Sequence, residues 1–187
     1  MPDCIEPDSS ALPRLTLVLG GARSGKSRYA ETLVEAASSA ALLIATAEPG
    51  DAEMRQRIAA HRARRDRRWS VIEEPLALAA TLGAEARPGR PVLVDCLTLW
   101  LSNIMLAGRD ADAEIDALVA ALPALRGPVI MVANEVGLGI VPENALARAF
   151  RDHAGRLNRD IAAAADRVCF LAAGLPLLLK NVARAVP

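Results

Sequence analysis

Short apolar runs alternate along the chain with longer stretches in which apolar residues recur at helical spacing. The runs are too short for helices and are rich in leucine, valine and isoleucine, which is typical of buried strands. Strands are predicted at residues 15–19, 41–45, 69–72, 91–95, 129–133 and 168–172, with a final edge strand at residues 177–180. Helices are predicted at residues 27–37, 76–86, 97–106 and 113–122. The pattern therefore alternates strand and helix.

The last helix is the longest in the pattern, and Pro142 is expected to open it, because proline is tolerated in a first helical turn. Its apolar face is predicted to comprise Leu146, Phe150, His153, Leu157 and Ile161. The alternation predicts a three-layer α/β/α fold with a mostly parallel central sheet, to which the last run can add an antiparallel edge strand. Ligands of such sheets bind beyond the carboxyl ends of the strands.

The strongest chemical signal lies between the first strand and the first helix. Residues 20–27 read Gly-Gly-Ala-Arg-Ser-Gly-Lys-Ser, which matches every fixed position of a phosphate-binding P-loop in its strand–turn–helix context. Lys26 is expected to contact the outer phosphates, and the Ser27 hydroxyl to bind Mg²⁺. An ordinary glycine-rich turn is the weaker interpretation, since only two lysines occur in the chain and one is Lys26. The predicted fold is therefore P-loop NTPase-like.

Composition narrows the class of protein. The 187 residues predict a single domain at residues 14–187, preceded by a flexible, acidic extension at residues 1–13. A formal net charge of zero argues against a general nucleic-acid binder. The three cysteines are far apart and show neither disulfide nor metal spacing, and no apolar run approaches the ~18 residues of a membrane span. We expect a cytoplasmic protein without a membrane span.

Two acidic positions follow predicted strands. Asp95 can bind Mg²⁺, directly or through water, or it can cap the helix that starts near Leu97. Glu135 precedes a Gly-x-Gly at residues 137–139, which is weak evidence by itself and can be only a turn that lets Glu135 approach the site.

The chain has two histidines. His153 lies on the apolar face of the long helix, which favours a core histidine with a satisfied hydrogen bond. His61 lies one helical turn from Arg57, Arg64 and Arg65, and such a cluster can bind a triphosphate while disfavouring protonation of the imidazole. A neutral imidazole is a competent nucleophile toward phosphorus. A structural histidine beside a solvated basic face is the alternative interpretation.

Several stretches together resemble one family, the bifunctional adenosylcobinamide kinase / adenosylcobinamide-phosphate guanylyltransferases. The similarity runs from about residue 15 to residue 180. It is carried by residues 20–27, 44–46, 51–58 with His61, 69–75, 95–103, 134–144, 151–152 and 155–158. The P-loop is common to many families, whereas residues 134–144, Asn-Glu-Val-Gly-Leu-Gly-Ile-Val-Pro-Glu-Asn, are close to a signature.

The resemblance implies two reactions. A nucleoside triphosphate, ATP or GTP, phosphorylates the aminopropanol hydroxyl of adenosylcobinamide. GTP then guanylylates an enzyme histidine, and the GMP passes to the phosphorylated substrate to give adenosyl-GDP-cobinamide, a step in cobalamin biosynthesis. The family's acceptor histidine falls in the helix after the second strand, where His61 is the only histidine. Ala60 stands where family members can carry a second histidine.

The resemblance also implies the residues of the site and the state of assembly. Catalysis is expected at His61 and Lys26, and Mg²⁺ at Ser27 and Asp95. The nucleotide is expected to contact Gly20, Gly21, Ala22, Arg23, Ser24, Gly25, Lys26, Ser27, Ala45, Thr46, Ala47, Arg62, Ala63, Arg64, Arg65, Glu73 and Asp95. Asp95 can instead read the N1–H and N2–H₂ donors of guanine. Adenosylcobinamide and its phosphate are the expected partners, and a homo-oligomer the expected assembly.

Two other classes remain open from the sequence. A P-loop kinase of small molecules would lack the transferase step and would not need a nucleophilic imidazole among arginines. An NTP-driven regulatory switch or DNA-associated ATPase would hydrolyse nucleotide slowly and form no covalent nucleotide. The zero net charge and the compact length disfavour the DNA-associated version.

Overall fold

The computed structural model describes residues 12–48 and 66–182. The described helices are α1 (Lys26–Ala37), α2 (Leu78–Glu85), α3 (Leu97–Leu106), α4 (Ala111–Ala121) and α5 (Ala145–Ala164), with a 3₁₀ turn at Leu122–Ala124. The strands are β1 (Leu15–Gly20), β2 (Ala41–Ala45), β3 (Trp69–Glu73), β4 (Val92–Asp95), β5 (Val129–Asn134), β6 (Arg167–Ala172) and β7 (Leu175–Asn181). No helix within these ranges is long and apolar enough to cross a bilayer.

The strands form a single seven-stranded sheet in the order β3-β2-β4-β5-β1-β6-β7. Every neighbouring pair is parallel except β6 and β7, which form an antiparallel hairpin at one edge. The predicted fold class, including the antiparallel edge strand, is therefore confirmed. The strand β1 lies between β5 and β6, so the turn that follows it is flanked on both sides by the ends of parallel strands.

Two cores of aliphatic side chains fill the layers on either side of the sheet. On one face, α1 packs through Ala30, Leu33 and Val34 against residues that include Val18, Leu43 and Ile130. On the other face, α2 to α5 bury a larger cluster in which Trp100 is the largest fully buried side chain. The long strands β1 and β5 are buried along almost their whole length, as expected for strands covered on both faces.

The long helix α5 begins later than the sequence predicts. Asn144 is its N-cap, and the Asn144 side chain accepts hydrogen bonds from the backbone N–H groups of Leu146 and Ala147. Pro142 therefore lies before the cap and does not open the helix. Leu146, predicted on the apolar face, is 59% exposed, because the first turn of the helix extends beyond the sheet. Leu157 and Ile161 are buried as predicted.

His153 has the predicted hydrogen bond but not the predicted core position. Its imidazole is partly exposed, and Nδ1 lies 3.1 Å from Oδ1 of Asp112 on α4. Arg156 donates to the same carboxylate at 2.6 Å. This hydrogen bond is the largest cause of a lowered pKa at Asp112, and the charge of His153 lowers it further. The polar contact between α4 and α5 at this surface explains why an imidazole is tolerated at an otherwise apolar spacing.

Candidate nucleotide-binding site

The turn after β1 has the backbone that a phosphate-binding loop requires. Gly20 has φ of +149° and Gly25 has φ of +95°, two conformations that residues with a side chain rarely adopt. A Cβ atom on Gly20 would lie 2.4 Å from the carbonyl oxygen of Leu171, closer than real contacts allow. Gly25 is also the N-cap of α1, so the amide groups of that helix's first turn point toward the loop.

The loop is supported from the far side by the β6–β7 turn. The backbone N–H of Gly174 donates to the carbonyl of Ser24 at 3.0 Å, and Ser24 N–H donates to Gly21 at 3.3 Å. A Cβ atom on Gly25 would meet the Cα atom of Gly174 at 3.4 Å. The sequence reasoning missed this support, since the Ala173-Gly174 turn lies almost 150 residues away and carries no motif.

Lys26 is buried within the loop. Its ammonium group donates to the Gly21 carbonyl at 2.5 Å and lies 3.5 Å from the Ser24 hydroxyl. Burial lowers the pKa of Lys26, while the nearby charges of Cys96 and Asp95 act in the opposite direction. The effect of Asp95 on the pKa of Lys26 places its carboxylate near the phosphate-binding side of the site. The neighbouring thiol is not a nucleophile at neutral pH, because burial raises the pKa of Cys96 to about 11.

The ends of four parallel strands lie in register beside the loop. Ala45 pairs with Glu73 on one side and with Asp95 on the other, and Gly20 pairs with Asn134. Because side chains alternate along a strand, Asp95 is on the same face as Leu93, which packs in the cluster that contains α1. The expected alternative role of Asp95 as a helix cap is wrong: Cys96 is the N-cap of α3, and no side chain caps that end.

A magnesium site fits the donor set at this edge. Ser27 and Asp95 are both partly exposed and supply hydroxyl and carboxylate oxygens, which are the ligand types that Mg²⁺ prefers. Within the described residues no cluster of three or more histidine, cysteine or acidic side chains could bind a metal by itself. This composition suits an ion that is bound by one or two protein groups together with substrate phosphates.

Thr46 joins the end of β2 to the end of β4. Its hydroxyl, fully buried, donates to the Cys96 carbonyl at 2.7 Å and accepts from the Cys96 N–H at 2.8 Å. Its backbone N–H donates to the Asp95 carbonyl at 3.3 Å. The expected contact between Thr46 and nucleotide is untested, but these bonds place Thr46 directly behind the backbone of Asp95.

Helix α3 connects the neighbouring strand ends through its few polar side chains. The Thr98 hydroxyl accepts from Asn134 N–H at 2.7 Å, and Asn103 donates to the Thr46 carbonyl at 2.8 Å and to Pro75 at 3.3 Å. The Trp100 indole N–H donates to the Leu76 carbonyl at 2.9 Å. Sequence reasoning assigned these residues no role, although polar side chains in so apolar a helix were a usable signal.

We predict that Thr46→Val destabilises the protein while Thr46→Ser does not. Valine keeps the shape but leaves the buried Cys96 N–H without its acceptor, a cost of about 1–3 kcal/mol. Urea unfolding measures the loss, and the KM for nucleotide should rise for the valine variant alone. Thr16→Val is the matched control, since the Thr16 hydroxyl in β1 is buried without a partner among the described residues. Equal behaviour of the valine and serine variants would refute the role of the hydroxyl.

Glu135 turns back on its own loop. Its backbone N–H donates to the Gly20 carbonyl at 3.0 Å, and its carboxylate accepts a short hydrogen bond from Gly137 N–H. The Gly-x-Gly is thus a turn that contacts Glu135, in line with the weaker interpretation of that motif. Asn158 on α5, which the sequence reasoning did not single out, is buried and donates to the Asn134 carbonyl at 3.2 Å.

The remaining expected site residues divide into two groups. Ala45 and Ala47 flank Thr46, and Glu73 is exposed at the end of β3. Residues 61–65, which include His61, Arg62, Ala63, Arg64 and Arg65, lie outside the described residues, as do residues 1–11 of the expected N-terminal extension. Their proposed roles stay predictions.

Comparison with known families assigns the chain. Residues 16–179 match the model of the family described as cobinamide kinase / cobinamide phosphate guanyltransferase. The chain belongs to this family. The matched range agrees closely with the extent of similarity expected from the motifs.

Named relatives and solved structures agree with this family. The bifunctional adenosylcobalamin biosynthesis protein CobP of Pseudomonas aeruginosa is 54% identical over 88% of this chain and 96% of its own. Its counterpart CobU of Escherichia coli K12 is 41% identical over 89% and 99%. The flagellar accessory protein FlaH of Methanocaldococcus jannaschii matches with a TM-score of 0.53 at 14% identity, covering 92% of this chain and 80% of its own. A solved ATPase domain matches with a TM-score of 0.54 at 13% identity, covering 91% and 78%. These two structures support the fold alone.

Proposed function

We propose that the protein phosphorylates the aminopropanol hydroxyl of adenosylcobinamide and then transfers GMP from GTP to the product, giving adenosyl-GDP-cobinamide. The observation that carries the proposal is the P-loop with Lys26 buried at its centre, in a chain of the cobinamide kinase / cobinamide phosphate guanyltransferase family. The family supplies the substrate class, and the loop supplies the means of binding a triphosphate.

The kinase step requires little covalent chemistry from the protein. The substrate hydroxyl oxygen bonds to the γ-phosphorus, the bond between that phosphorus and the β,γ-bridging oxygen breaks, and the hydroxyl proton is released. Backbone N–H groups of residues 21–26 are proposed to bind the phosphate oxygens, and Lys26 to offset charge on the group in transfer. The β6–β7 turn supports this loop through Ser24, so its N–H groups are already oriented before substrate binds.

Ser27 and Asp95 are proposed to bind the metal ion of the reaction. Mg²⁺ would neutralise charge on the phosphate oxygens and so favour departure of the leaving phosphate. The influence of Asp95 on the pKa of Lys26 supports this assignment over the reading of guanine, since it places the carboxylate near the phosphates. Glu73, two strands away at the edge of the sheet, is then the better placed of the two acids for a contact with the base.

The transfer step is proposed to use His61. A neutral imidazole nitrogen bonds to the α-phosphorus of GTP while the bond from that phosphorus to the α,β-bridging oxygen breaks, and pyrophosphate leaves. A phosphate oxygen of cobinamide phosphate then attacks the same phosphorus, the P–N bond breaks, and a diphosphate links GMP to the corrinoid. Arg62, Arg64 and Arg65 are proposed to neutralise the charge of the triphosphate and to keep His61 unprotonated.

Product analysis by mass spectrometry tests the complete proposal. Incubation with adenosylcobinamide, ATP and Mg²⁺ should add one phosphoryl group to the corrinoid. Addition of GTP should then add GMP with release of one pyrophosphate for each product. Phosphorylated product without any GMP transfer would identify the chain as a kinase only. Hydrolysis of nucleotide without modification of the corrinoid would contradict both steps and favour a nucleotide-driven switch.

A further inference from the structure

An unusual apolar surface lies between β5 and α5. The apolar loop, residues 137–146, carries four large aliphatic side chains that are exposed in the structure: Leu138, Ile140, Val141 and Leu146. Leu138 is 82% exposed and Ile140 98% exposed. Single exposed apolar residues are common, but four within nine residues form a patch of the kind that marks a binding surface.

The apolar loop is positioned at both ends. At its start, Glu135 N–H donates to Gly20 at 3.0 Å, and the Glu135 carboxylate accepts from Gly137. At its end, the Asn144 side chain caps α5, and the Arg148 guanidinium donates to the carbonyls of Pro142, at 3.0 Å, and Glu143. These bonds fix the backbone around the exposed side chains, so the patch is a formed part of the surface.

The apolar loop also lies next to the proposed phosphate site. It leaves the sheet at the carboxyl end of β5, and β5 pairs directly with β1, the strand that leads into the P-loop. Gly20 is thus joined to the start of the apolar loop through Asn134, by strand register, and through Glu135, by a hydrogen bond. An acceptor that receives a phosphoryl group from a nucleotide on the P-loop must approach at this edge of the sheet.

We propose that the apolar loop is the docking surface for the corrin macrocycle of the substrate. This inference rests on the proposed function. The acceptor hydroxyl is on a short arm of a large ring whose rim carries methyl groups and amides. When the hydroxyl reaches the P-loop, the ring must lie against the neighbouring surface. Leu138 and Ile140 offer the methyl-bearing rim an apolar contact, while backbone carbonyls and Glu143 lie beside them for the amides.

The test is the double variant Leu138→Ser/Ile140→Ser. The dissociation constant for cobinamide, followed by its visible absorption in the presence of a non-hydrolysable ATP analogue, should rise at least about tenfold, because burial of each side chain would be lost. KM for cobinamide should rise in parallel while kcat changes little. GTP binding and the unfolding midpoint should match the unaltered protein, since both side chains are exposed.

A matched control removes exposed apolar side chains elsewhere. Leu106→Ser/Val182→Ser alters the end of α3 and the residue after β7, and should leave cobinamide affinity unchanged. Unchanged cobinamide affinity in the loop variant would overturn the inference. So would a loss of affinity that accompanies dissociation of an oligomer, measured by light scattering, because the apolar loop would then contact a second copy of the chain. Failure of the unaltered protein to bind cobinamide would overturn the proposed function itself, and this inference with it.

Discussion

Lys26→Ala is expected to lower both cobinamide phosphorylation and GMP transfer by about 100-fold or more. The substitution removes the buried ammonium group that donates within the P-loop, and with it the fixed positive charge opposite the transferring phosphates. The main effect should be on kcat, because charge on the transferring group differs most between ground and transition states. Initial rates with cobinamide and with cobinamide phosphate measure the two steps separately.

The chain supplies a matched control for this prediction. Lys180, its only other lysine, donates to the carbonyls of Ala162 and Ala163 at 3.0 and 2.9 Å, at the end of α5. Lys180→Ala should lower stability by about 1 kcal/mol through the lost helix cap but leave both kcat values near those of the unaltered protein. Wild-type rates and GTP affinity in folded Lys26→Ala would remove the phosphate-binding role from this lysine.

His61→Ala is expected to abolish GMP transfer and leave most of the kinase activity. Only the transfer step needs a covalent intermediate, so the first reaction should proceed to cobinamide phosphate and stop there. In the unaltered protein, GTP and Mg²⁺ should add GMP before any corrinoid is present. Intact mass and labelled GTP detect this adduct, and peptide mapping should locate it within residues 51–68.

The chemistry of the bond separates this mechanism from its alternatives. A phosphoramidate is lost in acid and survives base, whereas a serine phosphoester survives acid. His153→Ala serves as the control, because the other histidine contacts Asp112 between α4 and α5 and should affect stability rather than labelling. Label on another peptide, or full transfer without any label, would exclude His61 and indicate direct transfer between bound substrates.

The sequence predicted most of this architecture because the informative signals are local. A five-residue aliphatic run followed by a glycine motif specifies a buried strand and a turn, whichever strands pair with it. The long helix α5 was predicted less well at its start, since the choice between Pro142 and Asn144 depends on a side-chain hydrogen bond that periodicity does not report. His153 shows the same limit, because an apolar spacing does not reveal a carboxylate on the neighbouring helix.

The interior of the site was harder to predict than its outline. The motifs indicated the strand ends at Gly20, Thr46 and Asp95, but not the bonds that join them. The pairing of Thr46 with Cys96 and of Asn103 with Thr46 links residues about 50 positions apart or more, through backbone groups that every sequence possesses. Only the strand order, with β4 next to β2, brings those groups within hydrogen-bonding distance.

The position of β1 also has a consequence for how the protein is made. The P-loop is among the first segments to leave the ribosome, yet β1 pairs with β5 and β6, and the loop is supported by the turn that precedes β7. Its nucleotide site therefore cannot assemble until nearly the whole chain has been synthesised, and β1 must wait with an unpaired, almost entirely aliphatic strand. Such late, long-range pairing slows folding and exposes an apolar segment to aggregation in the meantime. Early nucleotide binding cannot rescue the nascent chain, because the residues that shape the site are among the last to appear.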